Sequence, residues 1–315
     1  MVDFRYHLIS LIAVLLALAV GILAGSGFLG GPLLEQIKGD VQELRETNSA
    51  LRDEISVLSD RVEQDEAFAR LADQYLTDRV LEGRRIVMFQ FAASDGALID
   101  GIKRAITGAD GQIATEITIA EKFALTSQPA RDELALALGS LAAGEEELRV
   151  EAATLLGERS AAAAERASSG SSSDPAAERA RELTAALERA EFIGVAAGDP
   201  ENVVPPDAMF VVVGGGTGRV GYDAAAFAVT LAESLAELEG PVIAVESQTS
   251  VWGLVRSLRS DVEARAIVSS VDNGNTTIGR IATVLGLQGS SAGQVGHYGF
   301  EAGRTAVIPA RLPNE

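Results

Sequence analysis

A glycine-rich segment in the C-terminal half has the glycine spacing of the dinucleotide-binding motif. Residues 216–221 read G-x-G-x-x-G after an apolar run, and Glu246 ends the next run, where a ribose-binding acid would lie. A pyrophosphate site needs the following helix to begin within the glycines. Because Asp223 is the expected N-cap, the pattern favours a strand–helix connection. Nucleotide binding stays the weakest alternative, and Gly216 and Gly218 are candidates for a ligand or partner surface.

Other reactive side chains are scarce. The chain has no cysteine, which excludes disulfides, thiolate metal ligands and cysteine nucleophiles, and it has only two histidines. Met88 and Met209 fall inside predicted strands, where core packing is the expected role, whereas a copper(I) site needs several convergent Cys or Met side chains. We therefore expect no catalytic residue, metal ligand or cofactor. His297 and Tyr298 are read either as structural residues or as a ligand or partner surface.

Charge narrows the possible partners. With a net charge of −19 the chain is not expected to bind nucleic acid or to carry a basic patch that binds a membrane surface. An acidic, solvated surface is the ordinary interpretation.

The N-terminus predicts a membrane anchor, residues 1–30. Leu8 to Leu29 are apolar except for Ser10 and Ser26, and a helix of that length spans about 33 Å. A signal peptide cleaved near Ser26 and a buried core helix are the alternatives. Arg5 favours a cytoplasmic N-terminus, with the bulk of the chain outside the cytoplasm. Small residues at four-residue spacing would let two anchors approach closely.

A heptad repeat follows and predicts a parallel coiled-coil stalk over residues 31–82. β-Branched residues at position a with Leu at position d favour two strands, and Asn48 at an a position is typical of a fixed dimeric register. An amphipathic helix packed on its own domain is the alternative. After Val62 an apolar stripe of Phe68, Leu71 and Tyr75 changes phase, which predicts docking on the globular domain. The predicted homodimer contacts are Ala17, Gly21, Gly25, Val41, Leu44, Asn48, Leu51, Ile55, Leu58 and Val62.

The rest of the chain predicts an α/β domain, residues 83–300, with a tail over 301–315. Continuous apolar runs such as 209–213 and 242–245 are typical of central parallel strands covered on both faces. Predicted helices alternate with them, so we expect three layers with a mostly parallel sheet. Residues 167–177 are of low complexity and predict a flexible insertion.

Both ends of the chain resemble the actinobacterial MctB-like copper transporter family. The resemblance rests on Arg5-Tyr-His7 and the anchor to Phe28, and on Val271-Asp272, Gly279-Arg280 and Val295–Gly299. It implies copper export or homeostasis at the cell envelope, where an outer-membrane location is also proposed for the family. It also implies an alternative, a dimeric scaffold or regulator of cell-wall hydrolases in division. In both cases the chain is expected to be a single-pass, non-enzymatic protein with an envelope protein or cell-wall enzyme as a possible partner.

Overall fold

The computed structural model describes residues 4–142, 144–165 and 174–313, and side chains within these ranges apart from those of 26–34. The chain divides into two compact units, Met1–Ala67 and Phe68–Glu315. The first unit consists of one helix in its described part. This helix, α1 (Phe4–Thr77), also contributes its last turns to the second unit.

The first unit has no break between the predicted anchor and stalk, because α1 runs through both. Residues 4–25 form an apolar helical segment with a mean hydropathy of 2.8, long enough to cross a membrane. No part of this segment is buried in the single chain. It is therefore a candidate membrane span.

The second unit is an α/β domain, as the alternation of apolar runs predicts. Its strands are β1 (Arg85–Phe91), β2 (Gln112–Ile119), β3 (Ile193–Ala197), β4 (Met209–Val213), β5 (Val242–Val245), β6 (Ser269–Val271) and β7 (His297–Tyr298). Its helices are α2 (Gly96–Gly108), α3 (Gln128–Leu138), α4 (Glu145–Glu165), α5 (Pro175–Arg189), α6 (Ala224–Ala236), α7 (Leu254–Ser260), α8 (Ala264–Ile267) and α9 (Thr277–Ser291), with a 3₁₀ turn at Glu121–Ala124.

The seven strands form one sheet in the order β3-β2-β1-β4-β5-β6-β7. Every neighbouring pair is parallel except β2 and β3, so the prediction of a mostly parallel sheet is confirmed. Crossover helices are what parallel neighbours require. The antiparallel β3 lies at one edge, where α5 returns the chain to the sheet.

Two apolar clusters cover the two faces of the sheet, because alternate residues of each strand point to opposite sides. Phe89 of β1 belongs to the cluster that includes residues of α3, α4, α5 and α6. Met88, its neighbour in sequence, belongs to the cluster that includes residues of α2 and α9. Both methionines in strands, Met88 and Met209, are buried in this second cluster, as core packing predicts.

Short polar side chains begin several helices by accepting a hydrogen bond from a free backbone N–H. Asp95 accepts from Ala97, and Thr276 accepts from Gly279. The predicted insertion at 167–177 lies mostly outside the described residues. Asp174, near its end, is the N-cap of α5, and the chain continues from there into that helix. The same chemistry starts α3 at Ser127 and α6 at Asp223.

The apolar stripe that was predicted to dock on the domain does not do so. Phe68, Leu71 and Tyr75 are exposed by 74%, 69% and 77%. Among the residues of α1 that face the domain, Ala69 is buried, and Leu76 packs on the cluster beside α2 and α9. These two continue the a positions of the heptad. The phase change therefore marks a solvent-facing stripe, and the small side chain of Ala69 suits the contact with the domain.

The tail after β7 packs on the end of α1. Arg311 donates from Nη1 to the carbonyl of Tyr75 (2.6 Å) and from Nη2 to that of Asp78 (2.9 Å). Leu312 and Gln288 of α9 exchange two hydrogen bonds, of 3.0 and 3.3 Å. Together these contacts form a C-terminal strap, residues 305–313, that satisfies carbonyls at the helix end.

Candidate functional site

The carboxyl edge of the sheet is where a doubly wound fold places its ligands. After β1 the chain continues to β2 on one side, whereas β4 continues to β5 on the other, so the connections diverge between β1 and β4. Ligands of such sheets bind in the crevice outside this switch point. The glycine loop, Gly214–Gly221, follows β4 and lies at this position.

The first glycines of this loop fill the crevice themselves. The carbonyl of Gly215 accepts from the N–H of Asp95 (3.1 Å), and that of Gly216 accepts from Val251 (3.0 Å). A Cβ on Gly216 would lie 2.5 Å from the carbonyl oxygen of Ala93. The glycine therefore permits a backbone-to-backbone approach inside the protein, and the buried Gly216 is not part of a surface. Gly218 is exposed.

The nucleotide interpretation lacks its two main contacts. Helix α6 begins after the last glycine, and the carboxylate of Asp223 already accepts from the N–H of Ala226 (2.9 Å). Glu246 is buried and accepts hydrogen bonds from the hydroxyl of Ser250 and from the N–H groups that start α7, those of Gly253, Leu254 and Val255. Both carboxylates cap helices, so the loop is the strand–helix connection that the sequence favours.

A cleft of about 350 Å³ opens beside the exposed part of the loop. Trp252 lies at one wall and donates from Nε1 to the carbonyl of Gly218 (2.8 Å). Val220 and Tyr222 line the same cleft, and burial raises the pKa of the Tyr222 phenol. Arg219 lies at the rim. This Trp252 cleft combines apolar side chains with an exposed cation, Arg219, and an exposed carboxylate, Asp223.

Several residues near the C-terminus form a buried hydrogen-bond network. Arg259 of α7 donates from Nη1 to Asp272 (2.8 Å) and from Nε to Ser270 (3.1 Å). The carboxylate of Asp272 also accepts from the N–H groups of Phe300 (2.8 Å) and Glu301 (3.0 Å). A buried ion pair is stable only when such extra hydrogen bonds satisfy its remaining sites.

His297 closes this network at its other end. Its Nε2 lies 3.0 Å from the carbonyl oxygen of Arg265, which can only accept, so Nε2 carries the proton. Nδ1 then accepts from the hydroxyl of Ser270 at 3.0 Å. Burial lowers the pKa of His297; the hydrogen bond to the Arg265 carbonyl opposes this, and the nearby Arg259 and Arg265 guanidinium groups add to the lowering.

His297 and Tyr298 are therefore not the exposed surface that one interpretation proposed. They are 6% and 8% exposed, and they form β7, which pairs with β6. Ser270 is fully buried, so its hydroxyl beside a histidine is not placed to attack a substrate. The described residues contain no group of three or more His, Cys, Asp or Glu side chains placed to hold a metal ion.

The heptad positions of α1 present a continuous apolar face in the first unit. Leu44 is 69% exposed, Leu51 is 52% exposed, and Asn48 lies between them, also exposed. Nothing lies within 4 Å of a Cβ built on Gly21 or Gly25. The remaining predicted contacts are exposed as well: Ala17, Val41, Ile55, Leu58 and Val62.

Comparison with known proteins identifies the family. The model described as "Copper transport outer membrane protein, MctB" matches residues 1–309. Proteins named Copper transporter MctB from Mycobacterium tuberculosis and Mycobacterium bovis are 27% identical over 98% of this chain and 99% of their own length. The relative of the same name from Mycobacterium leprae is 26% identical over the same shares. The match covers α1, the sheet and the C-terminal network alike, and the chain belongs to the MctB family.

Proposed function

We propose that this chain is a non-catalytic protein of the cell envelope that acts in copper export or homeostasis. One observation carries the proposal: the family match runs from the first residue to residue 309, so it includes the candidate membrane span and the second unit up to that residue. The relatives that share this full length are named copper transporters. Function is thus assigned through the family and not through the fold alone.

In this proposal two chains associate through a parallel coiled coil. The support is the exposed apolar face of α1 over residues 37–62, which carries β-branched residues at position a, Leu at d and a single Asn48. The second unit is then a three-layer domain with helices on both faces of the sheet. Its two apolar clusters are what such an arrangement needs.

The proposed orientation places the N-terminus in the cytoplasm and the second unit outside. Because the chain has no cysteine, a single Ser257→Cys variant reports the side directly. We expect a membrane-impermeant maleimide to label it in intact cells. Labelling only after lysis would reverse the orientation.

The copper role is tested by deletion and complementation. We expect a deletion strain to accumulate copper, measured as metal per cell mass, and the wild-type chain to restore the normal content. Leu51→Asp, which places a charge on the proposed coiled-coil face, should fail to restore it, whereas Ser49→Asp on the neighbouring exposed position should succeed. Unchanged copper content in the deletion strain would refute the copper role, and rescue by Leu51→Asp would refute the dimer's part in it.

A second candidate is a dimeric scaffold or regulator of cell-wall hydrolases. It is favoured by the contrast between the exposed face of α1 and the C-terminal network, whose polar groups are buried and hydrogen-bonded to one another. An interaction role needs a presented surface but no reactive group. Altered septa or wall turnover in the deletion strain, with copper content unchanged, would select this candidate.

A further inference from the structure

The Trp252 cleft is lined by apolar side chains that remain accessible. Val251 is 62% exposed, and Val220 and Tyr222 are partly buried beside it. The indole of Trp252 is held in place by its hydrogen bond to Gly218 and by an edge contact with Phe91, at 5.6 Å between ring centroids. Because the indole N–H is already satisfied, the cleft offers a ligand apolar surface and not this donor.

The charge at the rim is not compensated by the protein. Arg219 is exposed and makes no ion pair with any residue that the structure describes, in a chain of net charge −19. Asp223, an exposed carboxylate that also lines the cleft, accepts a hydrogen bond from the N–H of Ala226 at the start of α6 and makes no ion pair with Arg219. Arg219 therefore remains available for an anionic group of a ligand.

We propose that the Trp252 cleft binds a small organic acid. Its carboxylate pairs with the guanidinium of Arg219, and its apolar body, a short branched chain, lies against Val251 and Trp252. A cleft of about 350 Å³ suits a body of this size. The site lies on the loops after β4 and β5, at the sheet edge where such folds bind ligands. This inference does not depend on the copper role.

Fluorescence of Trp252, the single tryptophan of the chain, reports binding in the full-length protein in neutral detergent micelles. The probes are 4-methylpentanoate, its neutral amide 4-methylpentanamide and the cation 4-methylpentylamine. We expect a saturable change with the carboxylate, with a Kd on the order of 1 mM for a ligand this small. The amide and the amine should bind at least about tenfold more weakly, because they cannot form the charge-assisted contact.

Two variants test the two parts of the site. Arg219→Gln should weaken carboxylate binding by about three- to tenfold, within the range for a partly solvated charged hydrogen bond. Val251→Asp should weaken it as well, because a negative charge then faces the ligand, and its exposure keeps the fold intact.

The matched control is Arg84→Gln, which removes an exposed arginine directly before β1, at the amino ends of the strands and away from the cleft. Carboxylate affinity should be unchanged in this variant. Equal binding of acid and amide, no saturable response, or an equal loss in Arg219→Gln and Arg84→Gln would each overturn the proposal.

Discussion

At the scale of single residues, Arg259 and Asp272 form the most deeply buried ion pair among the described residues. Their side chains are 4% and 2% exposed, and every other described ion pair includes a more exposed partner. Removing one partner leaves the other charge buried without compensation. Loss of either partner should therefore lower the free energy of unfolding, because the remaining charge stays buried without a counter-ion.

We expect Asp272→Ala to lower the free energy of unfolding by about 3–5 kcal/mol. The variant leaves the Arg259 guanidinium without its carboxylate partner and the N–H groups of Phe300 and Glu301 without an acceptor. Thermal unfolding followed by Trp252 fluorescence measures the loss. As a control, Arg181→Gln removes two surface ion pairs, with Glu178 and Glu201, and should cost less than about 1 kcal/mol. Similar losses in both variants would contradict the argument.

His297 should make the second unit sensitive to acid. Its pKa in the folded chain is lowered from 6.5, mainly by burial, so the unfolded chain binds a proton that the folded chain resists. Stability from this residue is present above about pH 6.5 and is lost as the pH falls. Protonation would also make Nδ1 a donor toward Ser270, whose oxygen already accepts from Arg259.

The measurement is the difference in unfolding free energy between about pH 7.5 and about pH 5.5. We expect His297→Asn, which keeps an acceptor near Ser270, to be less stable than the wild type at the higher pH but to lose less on acidification. An unchanged pH dependence in the variant would show that other groups cause the acid sensitivity.

At the scale of elements, the turn after β7 is fixed by the absence of a side chain. Gly299 has a φ of +119°, and a Cβ there would lie 2.1 Å from Oδ1 of Asp272. We expect Gly299→Ala to cost at least about 3 kcal/mol, because it combines backbone strain with displacement of the buried carboxylate. Gly293→Ala is the matched control: its φ is +72°, but nothing lies within 4 Å of the new Cβ, so about 1 kcal/mol is expected. Chemical denaturation distinguishes the two, and equal costs would refute the steric part.

The C-terminal strap should slow the opening of the end of α1. Arg311 satisfies the carbonyls of Tyr75 and Asp78, and such a charged cap contributes about 1 kcal/mol. We expect Arg311→Gln to increase amide hydrogen exchange in a peptide covering residues 74–82 by several-fold. Arg304→Gln, which removes hydrogen bonds to Phe300 and Glu301 only, should leave that peptide unchanged. No change with Arg311→Gln would show that the strap does not hold the helix end.

The sequence predicted the elements whose signal is local. Strands β4 and β5 coincide with their apolar runs, and Asp223 caps α6 as its position indicated. Strands β6 and β7 were not predicted, because three and two residues with polar serines and a histidine give no apolar run. They pair through backbone hydrogen bonds between distant segments, such as those from the N–H groups of Ser270 and Asp272 to the carbonyls of Gly296 and Tyr298, which no local signal reveals. The exposure of the Phe68 stripe was missed for the same reason, since periodicity does not reveal which face of a helix a domain covers.

The candidate site was predictable in its position but not in its content. The glycine pattern located the loop after β4, yet the sequence did not show that Gly216 approaches Ala93 or that Glu246 caps α7. Trp252 and Arg219 carried no motif. That the chain has a single tryptophan is the one compositional signal that could have singled out Trp252.

At the scale of the whole molecule, the two units differ in how much apolar surface they leave exposed in the single chain. The second unit has two clusters of buried apolar side chains, one on each face of its sheet. In the first unit the heptad residues from Ile37 to Val62 are exposed by 40% or more. Water does not favour such a face, and in the proposed dimer a second copy of the same helix would cover it with matched a and d positions. The proposed dimer would therefore bury the exposed apolar face of the first unit.

Asn48 tests this assembly because a buried polar residue at an a position fixes the number of strands at some cost in stability. We expect the full-length chain to be a dimer by sedimentation with the detergent contribution subtracted. Asn48→Leu should give a mixture of dimers and larger oligomers with a higher unfolding temperature, because the amide no longer excludes alternative arrangements. Ser49→Leu adds the same side chain outside the predicted contact and should leave a dimer. A monomeric wild type would remove the coiled coil, and larger oligomers in both variants would show that added apolar surface alone causes association.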